Sequence, residues 1–101
     1  MIKVLVKKEK NNIKKITMNG HANYDDYGKD IVCAAASSIA ITTINAILEI
    51  NKDWIDYSLK EELTIIVKEK NEILNKLIEN MVNMLKELEK DYQKNIIIKE
   101  E

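Results

Sequence analysis

The segment Ile31–Leu48 carries no charged residue, in a chain where 33% of the positions are Asp, Glu, Lys or Arg. A run this apolar has to leave water, and where it goes decides the architecture. Its length is marginal for crossing a bilayer, and Ser37, Ser38, Thr42, Thr43 and Asn45 place hydroxyls and an amide along it. The reading is therefore a helix that faces the core or a second copy of the chain, with no membrane partner. Asp30 stands just ahead of it, where a carboxylate accepts bonds from the first free backbone N–H groups, which makes Asp30 the N-cap. The helix runs to about Glu49 and is apolar almost all the way round, so burial on more than one side is expected.

The remaining elements follow from shorter periodicities. Ile2, Val4 and Val6 alternate with Lys3, Leu5 and Lys7, the period of a strand with one buried face. Lys8–Asn12 reads as a polar turn and Ile13–Met18 as a second strand ending at Asn19-Gly20, which together form a hairpin. Trp54–Ser58 is a short third strand. The polar break Lys60-Glu61-Glu62 separates it from a fourth, Leu63–Val67. Ile73, Leu74, Leu77, Ile78, Met81, Leu85 and Leu88 recur at helical spacing and give an amphipathic second helix. Asn95–Ile98 is a last strand whose isoleucines fit a central position in the sheet. The order ββαββαβ predicts an α+β fold, a two-layer sandwich with a mostly antiparallel sheet and two helices on one face. With 101 residues and no linker or repeat, residues 1–101 form a single domain.

Charge excludes one class of partner. Sixteen basic and seventeen acidic side chains nearly cancel, whereas binding a phosphate backbone needs a basic surface, so no direct nucleic acid is expected. One cysteine cannot form an internal disulfide, which suits a reducing, cytoplasmic location. The first residues alternate apolar and basic, with no secretory signal.

The chemistry concentrates between the hairpin and the helix. Residues 20–30 hold both glycines, Tyr24 and Tyr27, and Asp25, Asp26 and Asp30, a composition typical of a mobile surface loop. The only histidine, His21, and the only cysteine, Cys33, flank it. A thiol and an imidazole are the two groups a cysteine hydrolase needs, one as nucleophile and one to accept and return its proton. With Asp30 as cap, Cys33 falls in the first helical turn, where the macrodipole favours an anion by about 0.3–1 kcal/mol. The same helix start offers backbone N–H groups to an oxyanion. Ala34, Ala35 and Ala36 leave room for a peptide beside it, and Ser37 lies one turn beyond Cys33 on the same face. Asp25-Asp26 lacks the neighbouring ligands a metal site requires, so no metal and no cofactor are expected. An inert core cysteine and an ordinary surface histidine are the competing reading of the same two residues.

The run Gly20-His21-Ala22, then Gly28, then Asp30-Ile31-Val32-Cys33-Ala34-Ala35, then Ser37 resembles the signature of the ribosomal-processing cysteine protease family, Prp (also called YsxB-like). The resemblance implies a cytoplasmic cysteine endopeptidase that removes the N-terminal extension of large-subunit ribosomal protein twenty-seven, with that peptide as partner. It implies Cys33 as nucleophile, His21 as general base, and supporting places for Asp30 and Ser37. Gly20, Ala22, Tyr24, Tyr27 and Gly28 belong to the loop that closes over substrate. It also implies a homodimer, which suits an all-round apolar first helix, and an apolar pocket beside Cys33 for aromatic residues ahead of the cut. Asp25, Asp26 and Asp30 are the candidates to orient His21. The alternative function is a noncatalytic ribosome-associated module that binds a peptide or RNA.

Overall fold

Alternation in the first strand decides which side of the sheet is inside. Ile2, Val4 and Val6 are buried while Lys3 and Lys7 are exposed, and each fully buried aliphatic side chain contributes about 1.5–3 kcal/mol. The computed structural model describes residues 1–26 and 30–101. Its elements are β1 (Ile2–Glu9), β2 (Asn12–Asn19), α1 (Ile31–Ile50), β3 (Ile55–Ser58), β4 (Leu63–Val67), α2 (Glu72–Asp91) and β5 (Ile96–Glu100). The order ββαββαβ and the α+β class are those read from the sequence.

The hairpin is tighter than its polar residues suggest. Pairing continues to Glu9 opposite Asn12, so the turn is only Lys10-Asn11, both with positive φ (52° and 68°). That left-handed pair is the primed turn whose twist matches the flanking strands. Polarity at Lys8 and Glu9 marks an exposed ribbon end and not the turn itself. Lys7 faces Lys15 and Lys8 faces Ile13, which leaves Lys14 unpaired as a β-bulge. The extra residue resets the strand's parity, which is why Ile13 and Ile16 are both buried at an odd spacing.

The sheet order is β3-β4-β2-β1-β5, antiparallel except where β5 runs parallel to β1. β5 is thus an edge strand, not a central one. Its isoleucines answer to a different cover. Ile96 is fully buried, and the Glu89 carboxylate of α2 accepts the Ile98 N–H at 2.7 Å. A side chain of α2 therefore satisfies part of the strand's outer edge. At its end Glu100 bridges Lys86 of α2 (2.6 Å) and Lys8 of β1 (3.2 Å). Hydrogen bonds from Lys86 and then Lys8 hold the Glu100 carboxyl below the usual carboxylate range, against an opposing desolvation.

Both helices cover the buried sheet face. α2 starts at Asn71, whose Oδ1 accepts the N–H groups of Ile73 (2.9 Å) and Leu74 (3.1 Å), and it buries Leu74, Ile78, Met81, Val82 and Leu85. α1 buries Val32, Ala36, Ala40, Ile44 and Ile47. These form a single stripe, so within one chain α1 is buried on one side and not on several. Ile31, Ser38, Thr42 and Asn45 on the other side are exposed. α1 is long and apolar enough to span a bilayer, yet its stripe packs into the same core cluster as Ile16, Ile65 and Met81.

Candidate active site

At the end of β2 the chain crosses close over the N-terminal strand, and Gly20 makes that possible. Its φ is +87°, and a Cβ there would collide with the Met1 carbonyl oxygen. Two residues on, Ala22 is only 1% exposed, so the segment is not a surface loop throughout. The Ala22 N–H donates to Cys33 Sγ at 3.2 Å, and the Ala22 carbonyl accepts from Asn95 Nδ2 at 2.9 Å. Asn23 then takes a left-handed conformation (φ 57°) and turns the chain outward. The Tyr24 ring meets Tyr92 edge-on, with centroids 5.4 Å apart. Tyr24 thus packs toward the end of α2 and does not border the cleft described below. Tyr27 and Gly28 lie outside the described residues.

Asp30 joins this loop to the helix. Its Oδ1 accepts the N–H groups of Val32 and Cys33, both at 3.0 Å, as an N-cap should. Its Oδ2 accepts those of Tyr24 (3.0 Å) and Asp25 (3.4 Å). Desolvation pushes this carboxyl toward the neutral form, but the four backbone donors, Cys33 first among them, outweigh it. They hold Asp30 below the usual carboxylate range.

Cys33 is half-buried in the first turn of α1, and His21 is exposed. Both border one open cleft of about 940 Å³, along with Ala34, Ser37 and Ile41 of α1. Met18 and Asn19 at the end of β2, Leu63 paired with Met18 at the start of β4, and Leu59, Glu61 and Glu62 of the β3–β4 connection also line it. Glu62 is fixed there by a bond from Asn19 Nδ2 at 3.0 Å. The sequence-predicted pair therefore shares a site with Ser37 and Asp30. Among the described residues, no hydrogen bond joins the imidazole to the thiol or to Asp25, Asp26 or Asp30.

Two expectations change at this resolution of detail. The helix start does not present a set of free oxyanion donors, because Asp30 Oδ1 already holds the N–H groups of Val32 and Cys33, and the Asp30 carbonyl holds that of Ala34 (3.1 Å). The backbone donor that reaches the sulfur comes from Ala22 instead. Nor is Asp30 placed to orient His21, since both its oxygens are engaged by backbone, while Asp25 Oδ1 accepts the Asp26 N–H at 2.7 Å. The sequence reading missed Asn95 and the wall formed by residues 59 and 61–63. Leu59, an apolar residue beside a polar break and 52% exposed, was the one local signal of that wall.

Comparison with known proteins bears on this arrangement. The family model described as cysteine protease Prp matches residues 1–97. The chain is 30% identical over 90 residues to the ribosomal processing cysteine protease Prp of Bacillus subtilis, covering 78% of each. It superposes with a TM-score of 0.94 and 26% identity on the essential ribosomal processing protease Prp of S. aureus bearing a covalently linked product peptide, over 100% of both chains. The same S. aureus protease with a substrate peptide gives a TM-score of 0.88 at 25% identity, again over 100% of both chains.

Proposed function

The chain belongs to the cysteine protease Prp family, and from that premise we propose that Cys33 is its nucleophile and His21 its general base. It is a cysteine peptidase, which sets aside the noncatalytic binding module. The observation that carries the residue assignment is that the only thiol and the only imidazole border one cleft, with the thiol in a capped first helical turn.

The reaction is an acyl transfer in two halves. His21 takes the Cys33 proton as sulfur attacks the scissile carbonyl, forming a C–S bond and an oxyanion. Collapse of that intermediate breaks the C–N bond, and His21 returns the proton to the leaving amine. Water, deprotonated by His21, then attacks the thioester and releases the acid and the thiol. Arrival of the peptide draws the imidazole onto the sulfur, since catalytic hydrogen bonds tighten in the substrate complex.

The substrate is the N-terminal extension of large-subunit ribosomal protein twenty-seven. This reading is supported by the ribosomal processing role named for the B. subtilis relative and by the peptides bound to the S. aureus protease. Met18, Ile41, Leu59 and Leu63 supply the apolar part of the cleft where aromatic side chains ahead of the cut lie. Asp30 and Ser37 support the site. The enzyme acts as a single-domain cytoplasmic homodimer, with no membrane or nucleic-acid partner. Incubating the enzyme with the extended ribosomal protein tests the reading by mass spectrometry. A single N-terminal cut that is lost in Cys33→Ala supports it, and a cut that survives Cys33→Ala overturns it.

A further inference from the structure

Asn95 lies in the turn between α2 and β5, 73 residues from Ala22, and its backbone and side chain serve different ends. Its main-chain N–H donates to the Tyr92 carbonyl and its carbonyl accepts the Ile2 N–H, both at 2.8 Å. Those two bonds build the turn and attach it to the first strand. The side-chain amide contributes nothing to the turn. It donates instead to the Ala22 carbonyl at 2.9 Å.

Ala22 is a short lever on the site. Its carbonyl belongs to the peptide bond with Asn23, and its N–H belongs to the peptide bond with His21. That N–H donates to Cys33 Sγ at 3.2 Å. Resting on the assignment of Cys33 and His21 above, we propose that Asn95 is a positioning residue for the reaction. By fixing Ala22 it aims the His21–Ala22 N–H at the sulfur and sets the backbone from which the imidazole projects. A backbone donor on the sulfur favours thiolate over thiol, because a hydrogen bond to the charged form is the stronger one. Burial of the Ala22 side chain and the Tyr24–Tyr92 contact hold the same segment. The ring contact, however, lies beyond the left-handed Asn23 and leaves the His21–Ala22 peptide to Asn95.

The chemistry at position 95 is specific. A carbonyl needs a donor, and a carboxylate of the same size would set acceptor against acceptor. The test compares the full chain with Asn95→Asp and Asn95→Ala. Amide exchange by NMR reads the Ala22 N–H, with the Ile2 N–H as internal control for the turn. Iodoacetamide alkylation across pH reads the Cys33 thiolate, and peptide cleavage reads kcat and KM. His21, Asp25, Asp30, Glu61 and Glu62 border the same cleft and are unchanged in both variants, so a displaced profile in Asn95→Ala reports the lost donor, whereas in Asn95→Asp the new carboxylate adds its own effect.

The expected result is faster Ala22 exchange with Ile2 protection kept, an alkylation midpoint displaced upward, and kcat lowered by about fivefold to tenfold, the worth of one hydrogen bond, at little change in KM. Unchanged Ala22 exchange overturns the proposal. So does an unchanged kcat and alkylation profile in a variant whose Ala22 amide has become labile. If Asn95→Asp also loses Ile2 protection, Asn95→Ala decides by the same measurements, because it removes the donor without adding charge. The underlying assignment stands or falls separately, on whether Cys33→Ala abolishes cleavage by the otherwise unchanged enzyme.

Discussion

A nucleophile and its base act as one unit, so their energetic contributions do not add. His21→Ala is expected to lower kcat/KM by about 10²–10⁴-fold, and Cys33→Ala to leave only a trace residual rate, read at high enzyme concentration. The double variant should be little worse than Cys33→Ala, as for other residues that act together. Cleavage kinetics of a peptide with aromatic residues ahead of the cut, at matched folding stability, check this. Independent, multiplying losses would mean that the two side chains do not share a step. Cys33→Ala should still bind the peptide, since the cleft is built largely from neighbouring residues. At this scale the placing of Cys33 and His21 on one cleft and of Asp30 as the helix cap was legible, because the cues are local: a unique thiol, a unique imidazole and a carboxylate just before an apolar run. Asn95 was not legible. Its bond to Ala22 spans 73 residues, and an asparagine after a helix reads equally well as an ordinary turn residue.

Caps and a bulge set the elements, and each has its own test. Asp30 and Glu100 both have carboxyls held below the usual range, so their ionised forms are favoured in the folded chain. For a depressed carboxyl the unfolded state binds the proton more readily. The stabilisation is therefore complete above the ordinary carboxylate pKa and is lost as pH falls through the lower folded value. Asn71 caps α2 without titrating. Asn71→Ala should thus cost about 1 kcal/mol at neutral and acid pH alike, whereas the loss from Asp30→Ala should be present at neutral pH and fade in acid. Urea denaturation at the two pH values checks both. Lys14 gives a second test. Lys14→Ala should change stability by less than about 0.5 kcal/mol, and deleting Lys14 removes the bulge while leaving Ile13 and Ile16 two positions apart on the core face, so it should avoid the loss of about 1.5–3 kcal/mol that turning Ile13 outward would bring. Strand and helix identities were legible from their periods. The bulge was not, because Ile13-Lys14-Lys15-Ile16 shows no alternation to count, and the edge place of β5 was hidden because cover by α2 makes an edge strand look central.

The whole molecule leaves one long uncharged surface unexplained within a single chain. Along α1 the exposed positions Ile31, Ala34, Ser38, Thr42 and Asn45 recur at helical spacing opposite the buried stripe, and no charge interrupts them. A solvated helix face ordinarily carries Lys and Glu, as α2 does at Lys76, Glu79, Lys86 and Glu87. Small and hydroxylated residues instead allow two helices to approach closely, and a two-fold pair would set this face against itself. Ala34 and Ser37 border the cleft, and Ala34 and Ser38 lie on the outer face, so such a pairing would lie next to the site. The expected state is a homodimer of two 11.7 kDa chains, and sedimentation equilibrium should return twice the chain mass. Thr42→Lys places one ammonium against its own symmetry mate and should shift the protein to monomer while far-UV circular dichroism stays unchanged. A parent that sediments at the single-chain mass at all concentrations removes the dimer from the proposal. A dimer that persists in Thr42→Lys moves the interface elsewhere on the surface. Cleavage rates measured across the dissociation range then tell whether the pair is needed for the chemistry. Activity that falls with dilution in parallel with the dimer would make the second copy part of the working enzyme.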